Sequence, residues 1–355
     1  MTPKLVAART ALPLQGAALP EPAPLQAVQI RAGGFRAAAL SPEGANFSRG
    51  GPSKNSHDEV FQVSIIGVGN MGGGMARNLL SKGWPVSVFD VDAEKMQNLV
   101  SFGAVALVSS AQAAINSVVT IICVVNAQQT QKVLFGTDGE AQGVAQAMPL
   151  GRVVMLCPTL APQDVERFAK DLIPFGLHTI DAPMSGGPAR AADGSMSLMV
   201  ACEPMVFERH RALIEALSNK VFRISERVGD GARTKLVNNL LAGINLVGAA
   251  EVLVMAQKMG LDVAKTLDVI EQSSGQSWIG SDRMRRAIDG DYVPRAHMTL
   301  LEKDTRLAVA AAQSAGFEGP LGAAARDVFA QASAGGLDGL DDAALFQWLS
   351  RSRSG

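Results

Sequence analysis

The chain has 355 residues, 47% of them hydrophobic and 18% charged, with a formal net charge of -1. That length accommodates two ordinary domains, each burying its own core, and the composition is that of a rather apolar globular protein. Near-neutral charge lacks the basic footprint of a nucleic-acid binder. Three scattered cysteines, Cys123, Cys157 and Cys202, do not make a disulfide framework, and four histidines without a nearby Cys or carboxylate cluster argue against a metal site.

Residues 1–57 are rich in Ala, Pro and Gly ("ALPLQGAALPEPAPLQ") and show neither helical nor strand periodicity, so a disordered extension is expected. Lys4 and Arg9 without a neighbouring acid suggest a targeting peptide, but Pro13, Gln15 and Pro20 break its apolar stretch. From Phe61 the pattern changes. "FQVSII" is a β-branched run ending at glycine, "NMGGGMARNLLSKG" is helix-like, "PVSVFD" is a second strand and "AEKMQNLVSFG" a second helix. "SVVTIICVV", "GRVVMLCPT" and "HTIDAP" are further strands separated by helical stretches. The alternation predicts a doubly wound, mostly parallel α/β sheet of the Rossmann type over 58–228.

After Gly229 no strand-like run is expected, so 229–355 reads as an all-α C-terminal domain. It opens on a long helix joining the two domains. From Leu236 to Met255 the only charged residue of that helix is Glu251, which predicts extensive burial. Its three asparagines and the glutamate would be costly in hydrocarbon, so an interdomain helix is expected rather than a membrane span.

"IIGVGNMG" supplies G-x-G-x-x-G as Gly67, Gly69 and Gly72, with a strand before and a helix after. The first glycine permits the tight turn, the second lets a pyrophosphate approach the backbone, and the third lets helix pack on strand. Asp90 ends the second strand eighteen residues after Gly72. A carboxylate there accepts hydrogen bonds from ribose hydroxyls and repels a 2′-phosphate. Val91 and Asp92 supply no arginine, so NAD is expected over NADP.

Four segments together resemble the 3-hydroxyisobutyrate dehydrogenase-like β-hydroxyacid dehydrogenases: "GVGNMGGGMARNL", "DAPMSGG" (Asp181–Gly187), "GARTKLVNN" and "EKDTRLA" (Glu302–Ala308). They occur in family order across about 61–349. "VVNAQQTQKVLFG" (Val124–Gly136) and "SWIGSDRMRRAIDGDYVP" (Ser277–Pro294) are most like the L-threonate dehydrogenase branch. The resemblance implies Lys235 as catalytic lysine, Ser185, Gly186 and Gly187 as the substrate-carboxylate loop, and Asn239 as a substrate contact. It also implies Asn70 and Met71 on the pyrophosphate turn, with Thr159 and Lys303 toward the nicotinamide end; Asn126 is a further expected cofactor contact. "LCPT" departs from the acidic-x-Ser-Thr strand end of many relatives, although Thr159 is kept; the first 57 residues have no family counterpart.

The residue types also suit the chemistry directly. Oxidising an alcohol needs a base for the hydroxyl proton, and a lysine near a helix start beside a cationic ring can have its pKa depressed toward neutrality. Asn239 stands one turn beyond Lys235 on the same face. Trp278 either walls the substrate pocket or fills core. Arg283, Arg285 and Arg286 either attract an anion or form a solvated helix face, and Lys303 with Asp304 also fits an exposed ion pair.

The expected activity is NAD-dependent oxidation of a small anionic hydroxy acid, L-threonate first, by a cytoplasmic bacterial homodimer or homotetramer without nucleic-acid or membrane partners. 3-Hydroxyisobutyrate oxidation, reduction of a small aldehyde acid, and non-catalytic dinucleotide binding remain alternatives. Imine reductases share the implied fold but typically replace the lysine.

Overall fold

The computed structural model describes residues 61–137 and 142–351; the extension at 1–57 lies outside them. The strands are β1 (Phe61–Ile66), β2 (Val86–Phe89), β3 (Val105–Ala106), β4 (Ser117–Ile122), β5 (Val153–Leu156), β6 (His178–Asp181), β7 (Met184–Ser185), β8 (Ser197–Ala201) and β9 (Lys220–Ser225). Between them run α1 (Asn70–Ser81), α2 (Ala93–Val100), α3 (Ser110–Ile115), α4 (Ala127–Phe135), α5 (Val144–Ala147), α6 (Pro162–Leu172), α7 (Gly187–Asp193) and α8 (Pro204–Leu217). After β9 come α9 (Asp230–Lys258), α10 (Val263–Glu271), α11 (Trp278–Ile288), α12 (Met298–Ser314), α13 (Pro320–Ala332) and α14 (Leu345–Arg351).

Strands β3-β2-β1-β4-β5-β6 pair in parallel in that order. The chain crosses from the β1 side to the β4 side after β3, which creates the crevice at strand carboxyl ends where α/β sheets take ligands. Burial on both faces explains the near-continuous β-branched runs, since helices cover each side. One core holds Val63, Ile65, Val119 and Met155 under α1 and α8; the other holds Ile66, Ile122, Val154 and Leu156 under α6.

The fold class is as expected, with three strands more than the apolar pattern indicated between 184 and 228. β6 and β7 both run antiparallel to β8, with Asp181 opposite Ala201 and Ser185 opposite Ser197. β9 pairs in parallel on the other side of β8. "KVFRIS" escapes a periodicity reading because this strand is half-exposed and carries Lys220 and Arg223 among its apolar residues.

The helices after β9 form a third core around Leu246, Leu253, Met284, Met298 and Phe329. The expectation of extensive burial for α9 is only partly met. Val237, Leu241, Val252 and Met255 are exposed, as is Met259 just past the helix end; their spacings of about one and about three turns put them in an apolar stripe on the face opposite this core.

Candidate active site

The glycine turn is built by backbone constraints. Gly67 has φ +88°, and a Cβ there would lie 2.6 Å from the Cys123 carbonyl. A Cβ on Gly72 would lie 2.0 Å from the Gly67 carbonyl oxygen, whereas one on Gly69 would meet nothing within 4 Å. Two glycines therefore close the turn and the third leaves it open to a ligand. α1 starts at Asn70 with no side-chain cap and no acid in its first turn, so its N–H groups and positive dipole end suit a pyrophosphate. These residues fit the pyrophosphate of a dinucleotide.

Asp90 braces this turn. Its Oδ2 accepts from the Val68 N–H at 2.7 Å and its Oδ1 from the Asp92 N–H at 2.9 Å, and each oxygen retains a lone pair for a ribose hydroxyl. Asn70 donates through Nδ2 to the Arg295 carbonyl at 3.5 Å, so the turn touches the segment leading into α12. Met71 is half-buried against the first core. α1 crosses α7 so closely that a Cβ on Gly74 would lie 2.9 Å from that of Ala191, which fixes the 185–187 loop beside the cofactor turn.

At the far end of the crevice, Asn126, Thr159 and Lys303 line a cavity of about 210 Å³ with Asp164 and Arg306. Asn126 caps α4, its Oδ1 accepting from the Gln129 N–H at 2.9 Å. Lys303 Nζ donates to the Thr159 carbonyl at 2.7 Å and lies 2.9 Å from Asp304 Oδ1. The Lys303–Asp304 pair is thus no exposed ion pair: the two side chains are 15% and 8% exposed and Lys303 bridges α12 to the β5–α6 loop.

Lys235 lies in the second turn of α9 and is 6% exposed. Burial lowers its ammonium to about 8; Asp304 opposes that shift and Lys303 reinforces it. No carboxylate stands within salt-bridge distance of its Nζ among the described residues, which leaves it free for a reacting hydroxyl. Asn239, buried one turn on, donates through Nδ2 to Asp304 Oδ2 at 2.6 Å and accepts from Asn238 at 3.0 Å. Asn238 itself is exposed, so only Asn239 shares the buried face with Lys235.

Ser185 ends β7, Gly186 has φ +132° and Gly187 φ +78°, and α7 begins at Gly187 without a side-chain cap. Bulkier residues would be strained at both glycines. The Arg190 side chain runs beneath Gly186 and its guanidinium lies 5.0 Å from the Trp278 ring centroid. Trp278 is therefore no core filler: its ring is half-exposed and meets α7. Two of the three arginines of α11 are instead structural. Arg283 pairs with buried Asp342 and Arg286 with buried Asp341, while exposed Arg285 pairs with Glu271 and Asp268, so all three already face carboxylates.

Two contributors were not singled out by sequence reasoning. Asp304 joins Lys235, Asn239 and Lys303 into one buried polar group. Asp181, at the end of β6, accepts the Gly229 N–H at 2.8 Å and the Ala232 N–H at 3.0 Å through Oδ2. Both stand inside quoted motifs, yet their partners are 65 and about 50 residues away, so no local pattern identifies them.

Comparison with known proteins gives the family. Residues 62–225 match the NAD binding domain of 6-phosphogluconate dehydrogenase, and residues 229–349 the NAD-binding domain of NADP-dependent 3-hydroxyisobutyrate dehydrogenase. The L-threonate dehydrogenase of Cupriavidus necator is 36% identical over 285 residues, 80% of this chain and 95% of the relative. The 3-hydroxyisobutyrate dehydrogenase of Pseudomonas aeruginosa is 35% identical over 76% of this chain and 91% of its own length. The crystal structure of a 3-hydroxyisobutyrate dehydrogenase from Salmonella typhimurium superposes with a TM-score of 0.76 at 34% identity, covering 81% of this chain and 99% of that one. The chain belongs to the 3-hydroxyisobutyrate dehydrogenase-like β-hydroxyacid dehydrogenases, a family of NAD(P)-dependent oxidoreductases, and within it is similar to the L-threonate dehydrogenases.

Proposed function

We propose that the protein oxidises L-threonate with NAD at the carbon beside the carboxylate, giving the 2-oxo acid, with Lys235 as general base. The observation that carries this reading is Lys235 itself: a buried lysine, lowered to about 8 and free of any salt bridge among the described residues. An amine lowered this far loses its proton much more readily than a solvated lysine, which suits it to proton abstraction.

When bound, the nicotinamide supplies the hydride acceptor. Gly69 and the start of α1 hold the pyrophosphate, with Asn70 and Met71 on the same turn, and Asp90 holds the adenosine ribose. Asn126, Thr159 and Lys303 support the nicotinamide end. Asp90, followed by Val91 and Asp92 rather than by an arginine that could hold a 2′-phosphate, favours NAD over NADP. The Ser185 hydroxyl and the N–H groups of Gly186 and Gly187 take the substrate carboxylate, Asn239 orients the hydroxyl, and Trp278 walls the distal side. As the C–H bond delivers hydride, Lys235 Nζ takes the hydroxyl proton and the C–O bond becomes a carbonyl. The L-threonate dehydrogenases at 33–36% identity support the substrate choice.

Initial rates of NADH formation with L-threonate and 3-hydroxyisobutyrate side by side test this. A much higher kcat/KM for L-threonate is expected; a preference for 3-hydroxyisobutyrate would reject the substrate while keeping the chemistry. The exposed stripe on α9 supports a homodimer or homotetramer, and a single monomeric species in sedimentation at working concentration contradicts that. The bacterial sources of the relatives support a cytoplasmic location.

A further inference from the structure

We infer that Asp181 is a positioning residue for catalysis: from its place in the sheet it sets the start of α9, and with it Lys235, in register with the substrate-carboxylate loop. The inference rests on the reading of Lys235 as the base.

The backbone of Asp181 is fixed from both sides. It pairs with Leu156 of β5 and Ala201 of β8, and the next residue, Ala182, donates to the Leu156 carbonyl at 2.8 Å. Four residues on stands Ser185. The buried side chain of Asp181 accepts from the N–H groups of Gly229 and Ala232. Ala232 is three residues, about one turn, before Lys235. One carboxylate therefore ties the loop that holds one end of the substrate to the helix that carries the base for the other end.

The fit is close. A Cβ on Gly231 would lie 2.9 Å from both Cγ and Oδ2 of Asp181, so the helix approaches the carboxylate only because residue 231 has no side chain. Gly229 turns into the helix at φ +100° with no side-chain cap of its own, which leaves Asp181 as the acceptor for these N–H groups. The nearby Ser225, Arg227, Arg233 and Glu166 bind Asp230 or one another rather than Asp181. Asp230 and the thiols of Cys157 and Cys202 also act on or face Asp181, while the guanidinium groups of Arg227 and Arg233 beside the helix start are taken up by Asp230 and Glu166. Burial pushes the carboxyl up to about 7, against the helix-start N–H groups that hold it down. A plain surface cap would not show such burial. It would stabilise the helix without fixing where the helix lies against the sheet.

The test uses the full chain with Asp181→Ala, Asp181→Asn and Gly231→Ala, beside Lys235→Met. NADH affinity, kcat, hydroxy-acid KM and the pH profile of kcat/KM are measured for each. Asp181→Ala and Gly231→Ala are expected to lower kcat by about 10- to 100-fold, because a small displacement of the base is costly. NADH affinity stays within about threefold, since the cofactor turn is elsewhere. The limb assigned to Lys235, which faces Asp304 and Lys303, moves toward higher pH as the loosened helix start admits water. Asp181→Asn keeps an acceptor oxygen and recovers most of the rate, because Asn and Asp cap helices comparably. If Asp181→Ala fails to fold, Gly231→Ala decides. Folded variants with wild-type kcat, KM and pH limb would overturn the proposal and make Asp181 a stability residue only. Lys235→Met retaining full rate would instead overturn the base assignment, and the claim for Asp181 then stands or falls on the hydroxy-acid KM.

Discussion

The cofactor turn and the Lys235 cluster solve opposite problems. The turn is one contiguous strand–loop–helix unit that offers uncharged backbone groups to a ligand, and its demands are steric: φ +88° at Gly67 and no room for a Cβ at Gly72. The cluster is assembled from α9 and α12 and works by charge: a buried amine, a buried carboxylate and an amide that donates to the carboxylate. Local geometry can be written in a short sequence, whereas electrostatic tuning depends on what the fold brings near. The first region should therefore govern cofactor affinity and the second the chemical step.

The largest expected effect falls on the second region. Lys235→Met should lower kcat/KM by about 10²- to 10⁴-fold with NADH affinity nearly unchanged, as read by initial rates and fluorescence titration. A parallel loss of NADH binding would break the division between the two regions.

Within the turn, two glycines should separate. Gly72→Ala forces Cβ against the Gly67 carbonyl and should lower both thermal stability and NAD affinity. Gly69→Ala meets open space, so it should leave Tm close to wild type while raising the NAD KM severalfold. Equal Tm losses in the two variants would contradict the claim that Gly69 is kept for the ligand.

A smaller change follows at Asp304. Its carboxylate raises the Lys235 pKa against the larger lowering by burial. Removing that charge in Asp304→Asn should move the Lys235 limb of the kcat/KM profile to lower pH, with about a tenfold loss of rate as Asn239 loses its charged acceptor. A shift to higher pH would mean that Asp304 acts on Lys235 in the opposite sense.

The smallest effect concerns stability. The folded Lys235 pKa of about 8 lies below its ordinary 10.5, so between those values the unfolded chain binds more protons than the native one. The cost of burial is complete below pH 8 and fades as pH rises toward 10.5. Its size is on the order of 3 kcal/mol. Lys235→Met should accordingly raise Tm by a few degrees at pH 7 and by less at pH 9.5, a gain in stability bought with the loss of function. A lower Tm at pH 7 would show that the amine is better accommodated than its burial implies.

The same contrast explains what the sequence disclosed. Gly67, Gly69, Gly72 and Asp90 sit within 24 consecutive residues and report their geometry through spacing alone. Lys235 and Asn239 were visible as polar residues on an apolar helix, and the long helix itself was plain. Asp181 and Asp304 stayed hidden because their meaning lies in burial and in partners on other elements. Arg283 and Arg286 looked like an exposed basic face because Asp341 and Asp342, which neutralise them, come more than fifty residues later. β9 was missed because a half-exposed strand with two basic residues lacks the alternation that marks strands.

The central claim is that Lys235 is the base and that burial tunes it. The direct measurement is the pH dependence of kcat/KM for L-threonate at saturating NAD, wild type beside Lys235→Met. The account predicts a limb that rises through about pH 8 in the wild type and is absent from the variant's residual rate. A limb that persists unchanged in Lys235→Met, or a wild-type rate that is flat between pH 6 and about 9, would contradict it.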